Sequence, residues 1–242
     1  MMYLVKNSTE KIEIWNKDLY QGTAIKGVLF DMDGVILDTE KLYTRFWREA
    51  AQSLGFPMTQ EMALGMRSLS REMGERQLKA YLGEAVDYEK VRSIRIERMS
   101  AFIRENGVEL KDGIHELLDF LKEKGIKTSI ATSSPLDRTK EYLGQVGLKD
   151  AFDELVSGHL VPHGKPAPDI YLYAAKKLGL RPEECLVIED SPTGLLAGTR
   201  AGCVPVMIPD QDQPEDGIKD RIYAVVDSLE AVIALFDKTA MI

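Results

Sequence analysis

The sequence has little cysteine and no long apolar run. Only Cys185 and Cys203 occur among the 242 residues, and both lie in apolar stretches. This is typical of small buried core residues in a reducing compartment, so a disulfide is not expected. No stretch approaches the about 18 apolar residues that a membrane-spanning helix needs, and the N-terminus does not read as a signal peptide. We therefore expect a cytoplasmic protein that does not interact with membranes.

Basic residues and histidines are also scarce. Lys and Arg number 31 against 39 Asp and Glu, for a net charge of −8. A nucleic-acid partner is not expected, because a phosphate backbone requires a basic surface, although a local cationic pocket is still compatible with this charge. The three histidines are scattered, which argues against a zinc site. The chain length fits one large domain or a core with one insertion, and we expect a monomer.

The hydrophobic pattern divides the chain into three parts. Residues 1–24 are a polar N-terminal extension with one short alternating stretch, KIEIW. Residues 39–107 show only helical spacing, whereas residues 25–38 and 108–242 alternate between strand and helix patterns. Strands are predicted at 25–30, 127–132, 152–157, 185–189, 204–208 and near 224, and helices of the alternating part at 113–124, 136–146, 168–178, 192–201 and toward 236. This order predicts an α/β fold, with a parallel sheet covered by helices on both faces and an inserted helical module.

Polar residues follow several of the predicted strands. Asp31 and Asp33 follow the first strand, residues 132–134 (Thr-Ser-Ser) end the second, and Glu189 and Asp190 end a later one. In an open parallel sheet these ends meet at one edge. Crowded carboxylates require a cation, and hard oxygen ligands favour Mg²⁺. Hydroxyl groups and the loop residue Lys165 suit phosphate oxygens, so the set predicts phosphoryl transfer.

Four segments carry a family resemblance. In order and spacing, DMDGVILDTE, ATSS, GKPAPD and IEDSPTG resemble the four motifs of the haloacid dehalogenase superfamily of phosphotransferases. The resemblance extends from about residue 25 to the C-terminus. It implies a Rossmann-like core with an inserted helical cap, and it is closer to the phosphatase and β-phosphoglucomutase branch. The expected function is a Mg²⁺-dependent phosphatase that acts on a small sugar phosphate or nucleoside monophosphate through an aspartyl-phosphate.

The resemblance implies catalytic roles for three residues. Asp31 would be the nucleophile, and Asp33 would protonate the leaving oxygen and then activate water. Lys165 would neutralise the charge of the nucleophile and the phosphate. Taken alone, the paired aspartates are also compatible with a turn, and Lys165 with a solvated loop.

The resemblance also implies ligand-binding roles. Asp31 and Asp190 would ligate Mg²⁺, with the Asp33 backbone carbonyl as a further ligand and Glu189 as support. The side chain of Thr132 and the backbone amide of Ser133 would hold the transferring phosphate, although this segment is also compatible with a helix N-cap. In the cap, Arg67 and Arg71 are candidates for closing on a phosphate, and Arg71 is preferred.

Two alternatives to the phosphatase stay open. A β-phosphoglucomutase-type mutase shares the four motifs, but that family has a histidine in the first cap helix where this sequence has Tyr43. A metabolite-binding protein that has lost turnover is compatible with the same fold, because a fold does not establish a function.

Overall fold

A mostly parallel seven-stranded sheet forms the core of the computed structural model, which describes residues 11–20, 22–67, 69, 71–214, 216–239 and 241. The strands of these described residues are β1 (Ile12–Ile14), β2 (Gly27–Phe30), β3 (Lys127–Thr132), β4 (Glu154–Ser157), β5 (Cys185–Glu189), β6 (Val204–Met207) and β7 (Ala224–Val226). Their order across the sheet is β1-β7-β6-β5-β2-β3-β4, and only β1 runs antiparallel to its neighbour. The strand β2 is therefore central, between β3 and β5.

The helices fall into an inserted group and a group that alternates with the strands. Within the described ranges they are α1 (Glu40–Ser53), α2 (Gln60–Leu64), α3 (Arg71–Leu82), α4 (Tyr88–Asn106), α5 (Ile114–Glu123), α6 (Leu136–Gln145), α7 (Asp169–Leu178), α8 (Pro192–Ala201) and α9 (Leu229–Thr239). No helix of the described residues is long and apolar enough to cross a membrane.

Helices cover both faces of the sheet. Because successive side chains of a strand point to opposite faces, one strand contributes to the apolar clusters on both. In β2, Val28 and Phe30 join a large apolar cluster that includes residues of α5 and α9, such as Leu117 and Phe236. Leu29 joins a second cluster with residues of α7 and α8. All four residues of β2 are buried, as expected for a central parallel strand.

The helices α1–α4 form a cap with an apolar cluster of its own. The ring of Trp47 on α1 stacks on that of Tyr88 on α4, with their centroids 5.8 Å apart. Both residues belong to a cluster that also contains Met58 and Leu78. The predicted α/β architecture with an inserted helical cap is confirmed.

Several predicted boundaries differ from the observed ones. The prediction is correct for β3, β5 and α8, but β2 begins at Gly27 because the Ile25 amide donates to the carbonyl of Met241. Part of the predicted N-terminal extension forms β1, which pairs with β7. Residues 1–10 and 21 of that extension lie outside the described residues.

Candidate active site

The register of the sheet brings three motif-bearing segments together. Phe30, the last residue of β2, pairs with Ile130 of β3 and Ile188 of β5. Asp31 continues β2, and its amide donates to the Ile188 carbonyl at 2.9 Å. Thr132 ends β3 and Glu189 ends β5. The polar groups predicted to meet at the carboxyl edge of the sheet therefore lie side by side.

The ammonium group of Lys165 joins two buried carboxylates. It donates to Asp31 Oδ1, to Glu189 Oε1 at 2.6 Å and to the Ala131 carbonyl at 3.0 Å. Burial raises the pKa of Asp31 to about 7, although the charge of Lys165 opposes this rise. Burial alone would lower the pKa of Lys165, but the carboxylates of Asp31 and Glu189 raise it, so the lysine stays charged.

Glu189 is held by partners on both carboxylate oxygens. The Tyr171 hydroxyl donates to Oε1 at 2.7 Å, and the amide and hydroxyl of Ser191 donate to Oε2 at 3.2 and 2.9 Å. Gly194 makes room for it, because a Cβ atom there would collide with Glu189 Oε1. In this arrangement Glu189 orients Lys165, and its predicted support of a metal ion stays a prediction.

Asp33 lies in a separate hydrogen-bond network. Thr39 Oγ1 donates to Asp33 Oδ1 at 2.6 Å, and Ser134 Oγ donates to Asp33 Oδ2 at 3.0 Å. Ser134 Oγ in turn accepts from Arg138 Nη2 at 2.9 Å. The two aspartates therefore differ in environment: Asp31 is paired with an ammonium group, and Asp33 is bound by hydroxyl groups that can exchange protons.

Carboxylate oxygens without a hydrogen-bond partner collect near Asp31. Asp190 Oδ2, Glu40 Oε2 and Asp210 Oδ2 are buried and have no hydrogen-bond partner. Burial, followed by the charges of Glu40, Glu189 and Asp31, raises the pKa of Asp190 well above its ordinary value. Burial and the charge of Asp33 raise the pKa of Glu40 to about 8.

Such a set of buried oxygens fits a divalent cation. Among the described residues, no three His, Cys, Asp or Glu side chains form a ready-made metal-binding group. Mg²⁺ does not require one, since it commonly takes one or two carboxylates and completes its shell with backbone oxygens, water and substrate phosphate. That Asp31, Asp190 and the Asp33 carbonyl bind this ion, with Glu189 as support, stays a prediction.

The turn after β2 depends on Gly34. Its φ of +86° lies in the left-handed region that favours glycine. A Cβ atom at Gly34 would also collide with Asp190 Oδ2. Glycine is thus needed both for the turn and for the close approach of Asp190 to the loop that carries Asp31 and Asp33.

The remaining predicted residues lie in different places. Thr132 is buried and its Oγ1 accepts from the Ser134 amide at 3.0 Å, whereas Ser133 is exposed. Arg71 is largely exposed and pairs with Glu89 at 2.7 Å, so its contact with substrate stays a prediction.

The second cap arginine reaches the core. The side chain of Arg67 is 5% exposed, and its Nη2 donates to Asp212 Oδ1 at 3.0 Å. Its Nη1 is 3.9 Å from Glu40 Oε2. Arg67 therefore links the cap to the loop after β6.

Sequence reasoning missed five polar residues, which are Glu40, Arg95, Arg138, Tyr171 and Asp210. For Glu40, the signal was a fourth acidic residue at the end of the first motif. For Tyr171, Arg95 and Arg138 the only signal was a polar group within an otherwise apolar helical stripe, which is a weak indication.

Comparison with known proteins agrees with this geometry. The haloacid dehalogenase-like hydrolase family model matches residues 25–202. The chain is 34% identical over 227 residues to the phosphorylated carbohydrates phosphatase of Thermotoga maritima, covering 90% of this chain and 93% of that protein. It is 30% identical over 201 residues to the β-phosphoglucomutase of Bacillus subtilis, covering 78% and 85%.

A solved structure supports the same assignment. The crystal structure of β-phosphoglucomutase from Clostridium difficile superposes with a TM-score of 0.73 at 26% identity, covering 90% of this chain and all of that one. On the strength of the sheet, the site and these matches, the chain belongs to the haloacid dehalogenase-like hydrolase family.

Proposed function

We propose that this protein is a Mg²⁺-dependent phosphatase that hydrolyses a small phosphorylated metabolite through an aspartyl-phosphate. The observation that carries the proposal is the pairing of Asp31 with Lys165. One carboxylate oxygen of Asp31 is bound by the ammonium group, so the other is available to attack phosphorus. Asp33, two residues on, supplies a second carboxyl group in a hydroxyl-bound environment.

In the first half-reaction, Asp31 forms a bond to phosphorus as the bond from phosphorus to the leaving oxygen breaks. Asp33 donates its proton to that oxygen, so the product leaves as a neutral alcohol. In the second half-reaction, Asp33 takes a proton from water, and the water oxygen attacks phosphorus. The bond from Asp31 to phosphorus then breaks, which regenerates the carboxylate and releases phosphate.

Other residues bind the transferring phosphate. Thr132 and the amide of Ser133 are placed at the end of β3, beside the end of β2, where phosphate oxygens require donors. Lys165 compensates negative charge on Asp31 and on the phosphate. Mg²⁺ held by Asp31, Asp190 and the Asp33 carbonyl would supply positive charge against the phosphate oxygens.

The substrate class follows from the cap and the relatives. Glu40 of α1 lies among the carboxylates of the site, and Arg67 ties the cap to the core by its pair with Asp212. A covered site admits a small molecule rather than a folded protein. The relative from T. maritima is named for phosphorylated carbohydrates, which favours a sugar phosphate here, with a nucleoside monophosphate as the other possibility.

A mutase is the second candidate, favoured by the match to the B. subtilis β-phosphoglucomutase. The two functions differ in the fate of the aspartyl-phosphate, which a phosphatase transfers to water and a mutase to a second hydroxyl group of the sugar. Tyr43 stands where the mutase pattern has histidine, which supports hydrolysis.

Phosphate release from a panel of sugar phosphates and nucleoside monophosphates tests the proposal. Each compound is assayed with Mg²⁺ and with EDTA, and β-glucose 1-phosphate is also assayed for conversion to glucose 6-phosphate. Release that requires Mg²⁺ and is abolished in Asp31→Asn supports the phosphatase. Asp33→Asn is expected to reduce turnover by about 10²–10⁴-fold. Isomerisation without release would establish the mutase instead, and no turnover of any compound would contradict the proposal.

The proposal includes a cytoplasmic monomer. Every group assigned to the reaction belongs to one chain, so no second copy is required to complete the site. Size-exclusion chromatography with light scattering, run with and without Mg²⁺, tests this part of the proposal.

A further inference from the structure

A buried arginine on the cap has donors without acceptors. Arg95 lies on α4, is 6% exposed, and belongs to a helix whose other arginines, such as Arg98, are more exposed. Its Nε and Nη1 are buried and have no hydrogen-bond partner. The faces of its guanidinium group pack on Tyr43 and Trp47, with distances of 4.9 and 5.1 Å from Cζ to the ring centroids. These rings stabilise the charge but do not accept the N–H bonds.

A second arginine lies close by on the core. Arg138 is on α6, and its Nη2 donates to Ser134 Oγ while its Nε is buried without a partner. The two guanidinium groups are near enough that, after burial, the charge of Arg138 is the largest effect lowering the pKa of Arg95. Neither arginine forms an ion pair with any acidic side chain of the described residues. Burial lowers the pKa of Arg138, but Tyr43 and the charge of Asp33 raise it, so this arginine stays charged.

This arrangement is costly in the absence of a ligand. A buried N–H group without an acceptor loses about 1–3 kcal/mol of hydration, and a buried unpaired charge loses more. A fold that retains both arginines must recover that cost elsewhere, and an anion between them would satisfy the free N–H groups and the charge together.

The position of the pair relative to the reacting atoms defines which anion this is. Arg138 is joined to Asp33 through Ser134 Oγ, and Asp33 is the group that meets the leaving oxygen. In the proposed reaction the transferring phosphate is bound at Asp31 and Lys165, which are joined by a hydrogen bond of their own. The arginines therefore face the part of the substrate that leaves.

We propose that Arg95 and Arg138 bind a second anionic group, a phosphate or a carboxylate, on the leaving-group part of the substrate. The preferred substrates are then sugar bisphosphates or phosphorylated sugar acids rather than neutral sugar monophosphates. This inference rests on the proposed phosphatase function and narrows its substrate class.

Matched substrate pairs test the inference. Fructose 1,6-bisphosphate is compared with fructose 6-phosphate for a second phosphate, and 6-phosphogluconate with glucose 6-phosphate for a carboxylate. The wild-type protein is expected to favour the anionic member of at least one pair by about ten-fold or more in kcat/KM, as for charge-assisted hydrogen bonds. Whichever pair shows the preference identifies the anion.

The variants separate binding from folding. Arg95→Met is expected to remove most of that preference through a higher KM for the anionic member. Arg138→Met is the second variant, and Arg98→Gln on the exposed side of α4 is the matched control that keeps the preference. Arg95→Met is also expected to retain or raise the melting temperature without substrate, since an unpaired buried charge is removed. A merely structural cation–π role would lower it.

A binding assay makes the inference independent of turnover. In the Asp31→Asn background, the anionic member of the preferred pair is expected to raise the melting temperature more than its neutral partner, and Arg95→Met is expected to abolish that difference. The anion subsite would be overturned if kcat/KM and the rise in melting temperature were equal for both members of each pair. It would also be overturned if the preference survived both arginine variants. If Asp31-dependent hydrolysis is observed at the same time, the phosphatase function stands. If no compound is hydrolysed but the binding difference is present, the proposed function fails and the subsite stands.

Discussion

Gly34 and Asp190 are in such close contact that no side chain fits between them. A Cβ atom on Gly34 would collide with Asp190 Oδ2, although the residues are far apart in sequence. Gly34 also has a φ of +86°. The first motif and the last therefore meet at Gly34. Glycine is required there both by the positive φ and by the close contact with Asp190.

Gly34→Ala is therefore expected to reduce turnover by about 10²-fold or more, because displacement of a reacting group by about 1 Å has that effect. It is also expected to lower the free energy of unfolding by about 1–3 kcal/mol from the left-handed backbone. Steady-state kinetics and urea unfolding measure the two effects. Gly55→Ala is the matched control, since Gly55 has a φ of +85° with nothing within 4 Å of the added Cβ. It should show the stability loss alone, and a fully active Gly34→Ala enzyme would contradict the argument.

Gly194→Ala is expected to reduce turnover by displacing Glu189. The added Cβ atom would collide with Glu189 Oε1, the oxygen that binds Lys165 and Tyr171. The affected step is the orientation of Lys165, so kcat is expected to fall more than KM rises. In Gly144→Ala, where the added Cβ meets nothing within 4 Å, kinetics should be unchanged and stability should rise by up to about 1 kcal/mol. Equal kinetics in the two variants would show that Glu189 tolerates the displacement.

Lys165→Met is expected to lower the free energy of unfolding by about 3–5 kcal/mol, because it leaves the buried carboxylates of Asp31 and Glu189 without a counter-charge. Adding Glu189→Gln should restore part of the stability without restoring activity. Chemical denaturation of the single and double variants measures this. Arg76→Met, which removes an exposed pair with Glu72, is the control and should cost less than about 1 kcal/mol. A similar small loss in both single variants would rule out the buried charge effect.

The stability of the protein without metal should fall as pH rises. Burial is the main cause that raises the pKa of Asp31 to about 7 and of Glu40 to about 8 in the folded state. The folded chain then binds these protons more tightly than the unfolded chain, so the free energy of unfolding falls between about pH 4 and about pH 8. Urea unfolding in EDTA across this range measures the slope.

Mg²⁺ should oppose this loss, because a cation offsets the charge that deprotonation creates. Its stabilising effect is expected to be larger at about pH 8 than at about pH 5. In Asp190→Asn, which removes an unpaired buried carboxylate, the Mg²⁺ effect should be much reduced. A stabilisation by Mg²⁺ that is the same at both pH values, or that survives in Asp190→Asn, would contradict the assignment of the cation site.

Local sequence signals were sufficient for much of the fold. The strands β3 and β5 are short apolar runs bounded by turn residues, and α8 begins at a proline after the capping Ser191 and ends before Gly202. Their bounds were therefore predicted correctly. The bounds failed where tertiary contacts decide, as for β2, whose expected first residue Ile25 instead bonds to Met241 near the C-terminus.

The same division applies to the site. The motif residues follow strands, so the parallel sheet alone requires Asp31, Thr132 and Glu189 to meet, and a sequence pattern is enough to predict this. The roles of neighbouring side chains were not predictable in that way. A glutamate at position 189 is compatible with two roles, binding a cation or orienting Lys165. Only the packing of Tyr171 and Ser191 around Glu189 decides between these roles.

The sequence by itself determined the α/β architecture, the helical insertion and the order of the catalytic motifs, because these depend on periodicity and on residues at strand ends. Only the tertiary structure decided which cap groups reach the core. Arg71 pairs with Glu89 at the surface, whereas Arg67 meets Asp212 and Arg95 is buried against the rings of Tyr43 and Trp47. Helical spacing places an arginine on a face, but burial of its charge depends on the element packed against that face.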